Sequence, residues 1–282
     1  MEFNQQLYAK RRRSNAIGLT LSLGAMALGL FVLLWILSVL LSNGFAALDW
    51  NMFTQSTPAP GSDGGGLANA IVGSLLMVGF TVLVSTPIGV LAGVYLAEYG
   101  DQSKTAELTR FVTDIMLSAP SIVLGLFVYA IAVATVGNFS GWAGSLALSL
   151  IAVPVVVRTT ENMLRLVPGS LREAAFALGA PRWKVSTMVT LRAARSGVMT
   201  GLLLAVARIS GETAPLLFTA LNNQFWTSSL SEPMASLPVT IFKFAMSPYE
   251  NWQQLAWAGV FLITVAVLGL NILARVLTRN KI

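Results

Sequence analysis

Two arginine–glutamate pairs stand out in a chain with few charges. Arg208 and Glu212 lie four residues apart inside the apolar run 196–218, a spacing that puts both on one face of a helix. Arg158 and Glu161 lie three apart, where the apolar run 142–157 ends. A guanidinium is a planar fork of N–H donors that grips an oxyanion at two points. An acidic neighbour keeps such a site from becoming a trap, since passage requires release as well as binding. The chemistry on offer is therefore reversible oxyanion binding. The same pairs also suit a purely structural role: Arg208 and Glu212 neutralising each other, Arg158 snorkelling to headgroups, and Glu161 pairing with Arg158 or Arg165.

Covalent chemistry has little to work with. The 282 residues contain no Cys and no His, which removes thiol nucleophiles, imidazole bases, Cys/His metal sites and disulfides. Asp101 and Asp114 lie near predicted helix ends without a partner motif for an acid dyad. The loop Gly64-Gly65-Gly66 precedes an apolar run, yet no Gly-Lys dipeptide occurs anywhere, so a phosphate-cradling Walker A loop is absent. We read the glycine loop as a flexible outer linker, with no metal and no cofactor held by this chain.

A third feature is a short, well-punctuated stretch, Ser170-Leu-Arg-Glu173-Ala174-Ala175-Phe-Ala-Leu-Gly179-Ala-Pro181. Ser170 and Glu173 have the S-x-x-E spacing of a capping box. Leu171, Ala174, Ala175 and Leu178 recur at helical spacing and give one apolar face. Gly179 suits the left-handed position after a helix, and Pro181 stops continuation. A second helix is expected from Pro181, carrying Trp183, Val185, Met188 and Val189. Such a helix either rests on lipid headgroups or docks another protein. The small Ala-Ala face favours docking, because it lets a partner surface approach closely.

These residues must be positioned by membrane helices. The chain is 55% hydrophobic and 11% charged, with mean hydropathy +0.71, against about 25% charged for a soluble domain. Six apolar spans can be drawn, at 16–42, 67–96, 111–136, 142–157, 196–218 and 252–277, most of them near or above the ~20 residues that cross a bilayer. The fold class is all-α polytopic membrane protein with six transmembrane helices. A basic N-terminus (1–15) precedes a retained first helix (16–42), which reads as an accessory to a helical core of 71–275. The loop 43–66 is outside, and loop 158–195 and the tail 276–282 are inside. With this orientation 16 of the 18 Lys/Arg residues, counting Arg275 at the inner end of the last span, fall on the cytoplasmic side, leaving Lys243 outside and Arg208 deep within a span. The net charge of +6 thus follows topology, not nucleic-acid binding. Pro120 and Pro154 are expected to kink their helices, and 237–247 fits a short re-entrant or interfacial helix.

Glu173-Ala174-Ala175, three residues and then Gly179 resembles the E-A-A-x3-G signature of type I ABC importer permeases. The family pattern ends in I-x-L-P, and this chain has Val189-Thr190-Leu191-Arg192 there. The blocks Val157–Met163, Gly211–Ala220 and Gly64–Ala70 resemble the phosphate-specific members, over nearly the whole chain. The resemblance implies that 170–180 is a coupling helix seated in a groove of an ATPase, and that Arg158, Glu161 and Arg208 take part in phosphate translocation. It also implies a second, related permease, a cytoplasmic ATPase homodimer that binds ATP and Mg, and a periplasmic phosphate-binding protein, all at a bacterial inner membrane with both termini cytoplasmic. Alternatives are a permease for sulfate or molybdate, or a stand-alone secondary transporter or channel.

Overall fold

A computed structural model describes residues 5–101 and 103–279. The extreme ends of the expected cytoplasmic termini, 1–4 and 280–282, lie outside the described residues. Every regular element among the described residues is helical. In chain order these are α1 (Gln5–Ala46), α2 (Asn51–Thr54), α3 (Ala68–Glu98), α4 (Lys104–Ser118), α5 (Ser121–Val136), α6 (Gly141–Arg165), α7 (Gly169–Ala177), α8 (Arg182–Ala193), α9 (Arg195–Ser210), α10 (Ala214–Thr219), α11 (Leu237–Ala245) and α12 (Glu250–Arg279). Single π-helical segments interrupt α5 at Tyr129–Val133 and α8 at Val185–Thr190. α1, α3, α6 and α12 are long and apolar enough to cross a membrane. Two bent pairs, α4 with α5 and α8 with α9, bring the number to six if each counts as one span.

The organising contact is the seam between α3 and α6. Every fourth residue of α3 from Gly73 to Gly93 is buried, and apart from Met77 these are small: Gly73, Thr81, Ser85, Gly89 and Gly93. In lipid there is no hydrophobic gain from pressing two apolar helices together, so close approach through small residues supplies the packing. A Cβ at Gly89 would lie 2.6 Å from Val156 Cβ, and one at Gly93 2.6 Å from Thr160 Cβ. Thr81 Oγ1 donates across the seam to the Ser145 carbonyl at 3.2 Å. α9 closes on the other side of α6, where a Cβ at Gly201 would lie 2.6 Å from Thr159 Cβ. Met77, Leu148, Ile151, Ile209, Leu216 and Val239 then form one core shared by α3, α6, α9, α10 and α11. α1 stands apart, exposed along nearly all its length, and its main partner is α12.

Three expected boundaries are corrected. The span at 111–136 is not one kinked helix but two, α4 and α5, at 106°. Pro120 pushes the preceding Ala119 into extended backbone (φ −68°, ψ 135°), which ends α4 before the proline. The span ending at 157 runs on as α6 to Arg165, with Pro154 inside it, because the charges that marked its end are neutralised by neighbours, as described below. The span at 196–218 ends at Ser210 and restarts at Ala214. Pro215 in the first turn of α10 has no N–H to continue α9, and it suits a helix start. The loop side is also tighter than expected. The glycine loop is tied down by Asn251 Nδ2 on the Ser62 and Gly64 carbonyls (3.0 and 2.9 Å) and by Gln55 Oε1 on the Gly65 N–H. The short helix expected near 237–247 is α11, whose first N–H bonds Ser74 Oγ at 2.7 Å.

The seam makes a clear prediction. Gly93→Leu drives a side chain into Thr160 and the Val157 carbonyl, and overpacking of this kind costs about 1–3 kcal/mol or more. Gly79→Leu on the same helix meets nothing within 4 Å. We expect thermal aggregation of the detergent-purified complex at lower temperature for Gly93→Leu than for Gly79→Leu, which should match the parent.

Candidate functional site

The strongest electrostatic feature is Glu161 on α6. Its side chain is only 2% exposed, yet three guanidinium groups reach it: Arg110 Nε at 2.7 Å, Arg165 at 2.9 Å and Arg158 at 3.4 Å. Burying one ionised carboxylate alone costs several kcal/mol, so partners of this quality are required. Arg110 also donates to the Leu96 carbonyl at 2.8 Å near the end of α3, and Arg158 pairs with Asp114 on α4 at 3.0 Å. Arg158, Glu161 and Arg165 fall three and four apart, so one stripe of α6 carries its share of the cluster, and Arg110 and Asp114 come from α4. Asp114 pairs with an arginine and not with a second acid, and Arg110 is a ligand of the buried carboxylate. No sequence signal tied Arg110 to Glu161, because only the crossing of α4 over α6 brings the two together.

One turn further on, Arg172 of α7 is fully committed. It donates to both oxygens of Glu98 at the end of α3, with a shortest distance of 2.8 Å. It also donates to the Val167 and Leu164 carbonyls at 2.7 and 2.9 Å, which lie at and just past the end of α6. Helix-end carbonyls have no intrahelical partner, and a cation beside them also meets the negative end of the helix dipole. This one side chain therefore fastens α7 to α3 and α6 together.

α7 itself ends as expected and begins otherwise. Gly179 is left-handed (φ +78°), its N–H bonds the Phe176 carbonyl at 2.9 Å, and Ala180 N–H bonds the Ala175 carbonyl at 3.2 Å. Those two bonds form a Schellman motif. The expected capping box is absent: Pro168 occupies the N-cap, Ser170 lies inside the helix, and neither side chain caps. Glu173 is exposed, without an ion pair among the described residues. The face around it is open, with Ala174 exposed, Ala175 half-buried, and Leu178 88% exposed; Trp183 and Met188 of α8 are exposed as well, whereas Val185 is buried. α8 and α9 meet at 72° around Ala194, without a proline at 192.

Arg208 and Glu212 flank a helix break. Arg208 is in the last turn of α9, and Glu212 lies in the non-helical link Gly211–Thr213 that leads to α10. Irregular backbone at membrane depth is tolerated where it is buried in protein or lines a wet cavity. The Arg208 Nε to Glu212 Oε1 distance is 3.8 Å, and the Arg208 side chain is 46% exposed. An exposed pair at this distance contributes at most about 1 kcal/mol. It is loose where the Glu161 cluster is tight. The structure joins Arg158 to Glu161 and Arg208 to Glu212, and among the described residues no ion pair links the two sets.

Residues 85–281 match the family model described as binding-protein-dependent transport system inner membrane component. The chain is 59% identical over 281 residues to the phosphate transport system permease protein PstA of Yersinia pestis, covering 100% of this chain and 95% of that protein. It is 56% identical to PstA of Haemophilus influenzae over the full length of both, and 35% identical to PstA of Mycobacterium leprae over 93% of this chain and 88% of that one. Among solved structures, an inward-facing MetNI methionine ABC transporter is similar at TM-score 0.61 and 19% identity, over 76% of this chain and 93% of that one. A bacterial ABC transporter for alginate import is similar at TM-score 0.61 and 11% identity, over 98% and 99%. At those identities the structures speak for the fold alone. The chain belongs to the binding-protein-dependent transport system inner membrane components, among the phosphate transport system permeases of the PstA type.

Proposed function

We propose that this multi-pass inner-membrane permease carries phosphate past the Arg208–Glu212 break and takes its driving force at α7. The observation that carries the reading is the broken helix with a loosely paired, half-exposed arginine beside it. Arg208 offers its fork to phosphate oxygens as Glu212 is displaced, and Glu212 re-pairs with Arg208 as the anion leaves. Because the resting pair is worth little, exchange costs little. Arg158, with its side chain partly exposed and its charge shared between Glu161 and Asp114, is a second contact on the same route. Glu161 is too buried to meet the cargo and instead fixes Arg110, Arg158 and Arg165.

Energy comes from a partner ATPase, a homodimer that binds ATP and Mg outside this chain. Its surface receives the exposed face of α7, with Glu173, Ala174, Ala175 and Gly179 at the contact. Arg172 passes the displacement on to the ends of α3 and α6. From there the Glu161 cluster carries it to α4. A second, related permease completes the pore, and a periplasmic phosphate-binding protein supplies the cargo. Both termini and loop 158–195 face the cytoplasm, as the distribution of Lys and Arg supports.

ATP-dependent phosphate uptake by the four-component complex in proteoliposomes tests the whole reading. Uptake by this chain alone without nucleotide would refute it. In that system Arg208→Gln should abolish uptake with normal subunit assembly. A variant with normal uptake would return Arg208 to a structural role. Glu161→Gln leaves three guanidinium groups facing a neutral partner, and breaking a buried pair in this way costs about 3–5 kcal/mol. It should therefore lower the complex's thermal stability before it alters phosphate affinity. Glu173→Ala combined with Gly179→Leu should leave the complex assembled but with ATPase activity no longer coupled to transport.

A further inference from the structure

A cavity of about 400 Å³ opens on the opposite side of the molecule from α7, in the loop after α10. Asn222, Asn223, Gln224, Lys243 and Trp252 line it together with Phe225 and Phe244. Its lining contains no carboxylate. Lys243 on α11 is the lone Lys or Arg of the outer segments, and it forms no ion pair among the described residues. Partial burial lowers its pKa from the ordinary lysine value, with no opposing effect from a nearby acid.

The other walls are also rich in unspent donors. Asn223 is committed: its Nδ2 donates to the Pro233 carbonyl at 3.1 Å and its Oδ1 accepts from the Phe225 N–H at 3.0 Å. Asn222 uses only its carbonyl oxygen, which accepts from Thr240 at 3.4 Å, so its amide N–H groups are spare. The Gln224 side chain has no partner among the described residues, while its main-chain carbonyl is held by Thr57 and Asn69. Trp252 Nε1 is buried without an acceptor, although its ring stacks on Phe244 at 4.4 Å. A buried indole N–H normally finds a partner, so an orphan one is an exception that needs a cause. The loop holding the two asparagines leaves α10 through Leu221, the one non-glycine residue with positive φ among the described residues (φ +61°). Strained backbone of that kind persists where the surroundings over-determine it.

We propose that this cavity is an entry site for inorganic phosphate on the outer face, with Lys243 as the charge and Asn222 and Gln224 as hydrogen-bond donors. The assignment rests on the transport reading and orientation proposed above. A cation with spare amide donors and no acid selects an anion, and the aromatic wall of Phe225, Phe244 and Trp252 leaves the polar contacts to Lys243, Asn222 and Gln224. Charge there concentrates phosphate before it reaches the arginine at the helix break. An acidic patch on the delivering protein is the competing occupant.

Lys243→Gln removes the charge, Lys243→Arg retains it, and Gln224→Glu places a negative charge on the wall at constant shape. Equilibrium binding of radiolabelled orthophosphate to the detergent-purified complex, without the phosphate-binding protein, separates the two occupants. A hydrogen bond to a charged group contributes about 1.5–3 kcal/mol, so Lys243→Gln should weaken orthophosphate binding about tenfold or more. Gln224→Glu should do at least as much, and Lys243→Arg should bind like the parent. Co-purification of the partner subunits shows that each variant is assembled. Unchanged orthophosphate binding in both Lys243→Gln and Gln224→Glu overturns the proposal, as does a loss confined to association with the binding protein. The chain has no cysteine, so Lys243→Cys also reports its side of the membrane through an impermeant maleimide. Labelling from the cytoplasmic side alone would refute the orientation, and the proposal with it, while parent uptake remains the separate reference for transport.

Discussion

A carboxylate that is all but sealed inside a membrane helix has to be neutralised at close range, and much of this molecule is arranged around that requirement. Glu161 draws Arg110 from α4 and Arg158 and Arg165 from its own helix. Arg110 reaches it only because α4 lies across the ends of α3 and α6, held there by a bond to the Leu96 carbonyl. Gly100 keeps that approach open, since a Cβ there would lie 2.9 Å from the Arg110 guanidinium. α3 in turn reaches α6 through its stripe of small residues. The sharp turn at Pro120, the glycine spacing of α3 and the extension of α6 to Arg165 are therefore parts of one solution to one buried charge.

The arginines divide by how much of their hydrogen-bonding capacity is used. Arg172 and Arg110 are committed to carboxylates and helix-end carbonyls, and they act as fasteners. Arg208 holds one long contact with a half-exposed side chain. On the transport reading proposed above, rigid joints near α7 would take up displacement and the loose joint at the helix break would change its binding.

The features legible in sequence were local ones. Hydropathy located the apolar runs, and Gly179 announced the end of α7, because a left-handed residue after a helix is a one-residue requirement. Ser170 and Glu173 had the right spacing for a cap, but Pro168 starts the helix earlier and takes that place. Pro120 and Pro154 look alike in sequence, yet one ends a helix and the other sits inside one. Their difference lies in what packs around them: α6 is enclosed by α3, α4 and α9, whereas α4 turns away at its end. The ligands of Glu161 were partly hidden for the same reason. Arg110 lies far from Glu161 in sequence, and nothing but the crossing of α4 over α6 makes them neighbours.

The first helix has a different lesson. α1 meets α12 near opposite ends of the described chain: a Cβ at Gly44 would lie 2.6 Å from Phe261 Cβ, and Phe45 sets its ring edge-on to the same phenylalanine at 6.4 Å. The intervening helices pack mainly with one another. During synthesis α1 must therefore reside in the bilayer without its partner until the final helix is made. Its freedom from charge between residues 16 and 42 lets it tolerate that wait in lipid, and its docking closes the fold as a late, long-range step.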